Sequence, residues 1–95
     1  MIKPYMLTYD LNSKGQKYDE IIDCIKNKIA TNNVWCTFWK SSFLISSDKT
    51  PNEMLEILKP YLDSNDKFFV SEIVNNNQGW LTEKEWEYIN QNIFG

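Results

Sequence analysis

The chain has 95 residues, enough for one domain with a real core. It carries 13 acidic and 10 basic residues, for a formal charge of −3, and every basic residue is lysine. Without histidine there is no imidazole for zinc, no common general base and no serine-type triad. Without arginine there is no bidentate fork for phosphate. The acidic balance counts against tight, phosphate-driven binding of nucleic acid.

Residues 5–10 read as a strand that ends on Asp10, a residue type depleted in strands. "NSKGQ" follows as a polar loop. Over residues 17–30 the apolar positions Tyr18, Ile21, Ile22, Ile25 and Ile29 recur at helical spacing and predict one buried stripe. Asn32 and Asn33 break that pattern. "VWCTFW" and "SFLIS" are short, aromatic and β-branched, and predict a hairpin turning at Lys40 and Ser41.

A helix start follows in "SDKTPNEMLEIL". Thr50 is the expected N-cap, Pro51 suits the first helical position and Glu53 completes a capping box. Met54, Leu55, Leu58 and Leu62 are the expected stripe, and Pro60 should end the helix. "KFFVSEIV" reads as a further strand and "NNNQG" as a loop. Thr82 and Glu85 then open a last helix with a second capping box, with Trp86, Ile89 and Ile93 on one face.

The resulting order, β-α-β-β-α-β and then α, predicts an α+β, ferredoxin-like fold. A four-stranded antiparallel sheet is expected under two covering helices, as a single domain over residues 1–95 with a C-terminal extension over 75–95. Strand alternation makes both sheet faces apolar. Tyr5, Leu7 and Tyr9 oppose Met6, Thr8 and Asp10, while Trp35, Thr37 and Trp39 oppose Val34, Cys36 and Phe38. Either the last helix or a partner chain must then cover the second face.

Cys24 and Cys36 lie in apolar segments without metal or redox spacing, and read as buried free thiols in a reducing cytoplasm. Tyr5, Thr8 and Asp10 interrupt any secretory apolar region, and no stretch is long enough to span a membrane.

Three pieces carry a resemblance. "YMLTYDL" ending on aspartate, "WKSSFLI" and "LKPYLDSNDKFFVSEI" recur in this order in the small CRISPR-associated adaptation subunit, the Cas-two family. The tail "GWLTEKEWEYIN" is similar to that of SinR-like relatives, and the VapD toxins share the superfamily. The resemblance implies a homodimer in which Asp10 approaches its twin near the two-fold axis. Some members hold a divalent metal there and cut RNA or DNA, which makes Asp10 the candidate catalytic and metal-binding residue. Mg²⁺ is the implied ion, because paired carboxylates resist double ionisation and a hard cation relieves the repulsion. The metal would polarise phosphate and activate water.

Lys14, Lys17 and Lys40 are the candidate nucleic-acid contacts, and Trp35 and Trp39 the candidate dimer face. Each also has a structural reading: Asp10 as a turn residue bonding backbone near Asn12, the tryptophans as packing. Two function classes stay open. One is a metal-dependent endonuclease. The other is a non-catalytic dimeric scaffold, inhibitor or regulator that binds a protein partner.

Overall fold

The computed structural model describes residues 1–12 and 16–95, and for Gln16 its backbone only. Strand β1 runs over Lys3–Asp10, and helix α1 over Gln16–Cys24 continues through a wider turn at Ile25–Ile29. A short turn at Thr31–Asn33 leads to β2, Trp35–Cys36, and β3, Ser42–Ser47. Helix α2, Pro51–Leu58, passes into a tight turn at Lys59–Tyr61 before β4, Lys67–Glu72. Helix α3 covers Glu83–Tyr88 and ends in a wide turn at Ile89–Ile93. The fold is α+β: the four strands form one antiparallel sheet in the order β2-β3-β1-β4.

Alternation along the strands divides the interior in two. Tyr5, Leu7, Tyr9, Phe43 and Ile45 point to one face, where Ile21, Ile25 and Ile29 of the first helix and Met54 and Leu58 of α2 cover them. Leu44 and Cys36 point to the other face, where Ile89 and Ile93 pack on them. The last helix therefore covers part of the second face. Cys24 and Cys36 are both buried free thiols, and burial pushes the Cys36 thiol up to about 11. No helix is long and apolar enough to cross a membrane, among the described residues.

Local chemistry accounts for the boundaries. Asn32 and Asn33 take left-handed conformations (φ 55° and 59°), which asparagine tolerates better than most side chains. At α2 the Thr50 hydroxyl accepts from the Glu53 N–H, and the Glu53 carboxylate accepts from the Thr50 N–H. Thr82 and Glu85 repeat the arrangement at α3. The first α2 turn lacks intrahelical partners for its N–H groups, so this reciprocal pair satisfies two of them. Pro60 falls just past the last α-helical residue, as its missing donor requires.

Two elements depart from the sequence expectation. Leu55 is exposed and Ile57 packs on the core in its place, because positions three and four beyond Met54 share its face. The second strand is only two residues long. The Thr37 hydroxyl bonds the carbonyls of Ser42 (2.8 Å) and Trp39 (3.0 Å), a local alternative to the strand ladder.

Removing the α2 cap by Thr50→Ala should lower stability by about 1 kcal/mol. Urea denaturation followed by circular dichroism measures it, and an unchanged midpoint would mean that the capping pair contributes nothing.

Candidate functional site

The C-terminal end of β1, an inner strand, places Asp10 at one end of the sheet, exposed, and opposite Lys67 in the register with β4. The turn between β2 and β3 lies beside it. The Tyr9 N–H donates to the Ser41 carbonyl (3.0 Å), and the Thr8 hydroxyl donates to the same oxygen (3.1 Å). Lys40 is therefore carried at the same end of the sheet as Asp10. A shallow depression of about 160 Å³ lies here, lined by Thr8, Tyr9, Asp10, Lys67, Phe68 and Phe69. Among the described residues no group bonds the Asp10 carboxylate, and no three acidic, cysteine or histidine side chains gather as a metal cluster.

The Asn12 N–H is taken by Asp66 and not by Asp10. It donates to Asp66 Oδ1 at 2.7 Å, and the Asp63 N–H donates to Asp66 Oδ2 at 3.0 Å. Lys17 Nζ closes the cluster, at 2.9 Å from Asp66 and 2.7 Å from Asp63. The Asp66 side chain is only 1% exposed. These three donors, Lys17 foremost, hold its carboxyl down to about 2, and Asp63 and Asp66 together raise the Lys17 ammonium. The cluster ties the start of α1 and the end of β1 to the turn before β4. Lys17 is thus committed to two carboxylates, which removes it as a free phosphate contact. Lys14 lies outside the described residues. Lys40 is exposed, and its carbonyl accepts from the Tyr18 hydroxyl at 3.5 Å.

Trp35 and Trp39 do not form one face. Trp35 packs on Phe43, 5.9 Å between ring centroids, in the layer under α1; its indole N–H donates to Asn33 Oδ1 and Lys26 sits 4.4 Å over the ring. Trp39 lies beyond the short β2, where alternation has lapsed, and rests on Phe38. It opens onto the opposite side of the sheet. Glu72 pairs with Lys3 at 3.7 Å and sits opposite Tyr5, at the other end of β4 from the Asp10 position.

A groove on the second sheet face was not anticipated. It encloses about 580 Å³ and runs between that face and residues 73–81, with Met6, Trp39, Leu44, Trp80, Trp86 and Phe94 among its walls. Trp80 is fully exposed, and Phe69 on the same face is 67% exposed. The apolar alternation of the second face and the two tryptophans of "GWLTEKEW" are the sequence signals that could have located it.

The chain matches no family model, no curated protein and no solved structure.

The Asp66 cluster makes stability depend on acid. A carboxyl held near 2 when folded, against about 4 when unfolded, contributes fully above pH 4; the contribution is lost as pH falls toward 2. Asp66→Asn should therefore be less stable than the parent at neutral pH and lose less on acidification across that window. Urea titrations at stepped pH read both slopes, and parallel slopes would remove Asp66 from the acid response.

Proposed function

We propose that the chain is a homodimeric binding module of ferredoxin-like build, related to the Cas-two, SinR-like and VapD group. It works in the cytoplasm as a scaffold, inhibitor or regulator for a protein partner. The sheet order β2-β3-β1-β4, with a helix in each of the two crossovers, supports the ferredoxin-like assignment. Buried free thiols suit a reducing compartment.

One observation carries the binding role. After α3 has covered Cys36 and Leu44, the second face still exposes Met6, Trp39 and Phe69, continued by Val74 and Trp80. Exposed apolar surface of this kind, on a chain of 95 residues, is the usual mark of an interaction surface. The acidic balance and the engagement of Lys17 by two aspartates weigh against a phosphate-driven partner.

A second reading, a Mg²⁺-dependent endonuclease acting on RNA or DNA, is favoured by the exposed Asp10 carboxylate, which is free of partners among the described residues. A two-fold contact that brought two copies of Asp10 together would supply paired oxygen ligands for a hard cation.

Light scattering at micromolar concentration should give twice the monomer mass, and a monomer at all accessible concentrations would overturn the dimer. Cleavage assays on RNA and on single-stranded and duplex DNA with Mg²⁺ or Mn²⁺ separate the two readings. The binding module predicts no cleavage. The nuclease predicts cleavage that chelator and Asp10→Asn both abolish.

A further inference from the structure

The two borders of the sheet differ. At β2 the strand is two residues long, and its outward N–H, that of Trp35, donates to the Tyr88 hydroxyl of α3 at 3.1 Å. At β4 the strand is six residues long and contains no proline. The Ile73 N–H donates to the Pro4 carbonyl at 3.0 Å. In the antiparallel register this turns the backbone of Lys67, Phe69 and Ser71 toward β1, and that of Phe68, Val70 and Glu72 away from the sheet. Among the described residues, only the Ser71 hydroxyl meets this outer row, at the Glu72 carbonyl. Unpaired strand edges usually carry a charge, a proline, a bulge or a covering segment; on β4 the charges, Lys67 and Glu72, stand only at the two ends of the strand.

We propose that the outer edge of β4 pairs antiparallel with β4 of a second copy, about a two-fold axis at Val70, joining the two sheets into one of eight strands. The proposal rests on the homodimer reading above and names its interface. A two-fold axis normal to the sheet pairs residues of the same face, so hydrogen-bonded pairs must come from the outward set. Centring on Val70 uses all of that set, with Val70 opposite Val70 and Phe68 opposite Glu72 of the second copy. Centring on Phe69 instead sets Asp66 opposite Glu72, two acidic residues, and leaves part of the set unpaired.

Charge and apolar surface agree with this choice. Antiparallel pairing brings the Lys67 end of each strand beside the Glu72 end of the other, whereas parallel pairing would set like charges together. On the second face the exposed Phe69 stands opposite Ser71 of the copy and diagonal to the other Phe69, within reach of aromatic side chains. The arrangement also separates the two Asp10 residues, by about 14 Å across the sheet and about 20 Å along it on ordinary strand spacings. No ion can bridge them, so this interface belongs with the binding module and not with a shared metal.

Amide hydrogen exchange by NMR, run beside light scattering at a dilute and a concentrated condition, tests it on the full chain. Where the mass doubles, the Phe68, Val70 and Glu72 amides should exchange about tenfold or more slowly than in the dilute sample. The Phe69 and Ser71 amides, already bonded to β1, should be protected in both samples and so report an intact strand. A dimer whose Phe68, Val70 and Glu72 amides stay in fast exchange overturns the edge pairing and leaves the dimer standing. A mass that never doubles overturns both.

Discussion

Five consecutive residues of β3, Phe43 to Ser47, are all buried. Successive side chains of a strand point to opposite faces, so no single covering layer can bury such a run. That constraint makes the fold three layers deep. Phe43, Ile45 and Ser47 need α1 and α2, and Leu44 and Ser46 need α3. The two serines also fasten the layers. The Ser47 hydroxyl donates to the Ile29 carbonyl at 2.6 Å, where the first helix ends, and the Ser46 hydroxyl reaches the Asn92 carbonyl at 3.3 Å, where the last one ends. A slip of one residue along β3 would exchange both sets and leave each helix end without its anchor.

Much of this architecture could be read from residue pattern, because the pattern is local. The stripe of Ile21, Ile25 and Ile29, the Thr50–Glu53 and Thr82–Glu85 pairs and the stop at Pro60 each depend on neighbours within about one helical turn. The apolar second face was also evident, and the last helix proves to be part of its cover. The length of β2 was not evident. It is set by a threonine hydroxyl competing for backbone carbonyls, and an aromatic run gives no hint of that competition.

The candidate site was less readable for a related reason. Asp10 and Lys17 look alike as charged residues near a loop, yet one is unpartnered among the described residues and the other is held by Asp63 and Asp66, far away in sequence. Which aspartate takes the lysine follows from the packing of the turn before β4 against the end of β1, and no spacing rule announces it. Trp35 and Trp39 separate for the same kind of reason: two-residue alternation keeps them together only while the strand lasts.

The bond from the Trp35 N–H to the Tyr88 hydroxyl bears on how far association can go. A sheet open on both borders offers each newcomer a fresh place to add, and growth has no natural end. Sealing one border with a helix leaves a single acceptor, which its first occupant consumes. If copies pair along β4 as proposed, the Tyr88 contact on the opposite border would make that assembly self-limiting, and would separate a discrete pair from a fibre.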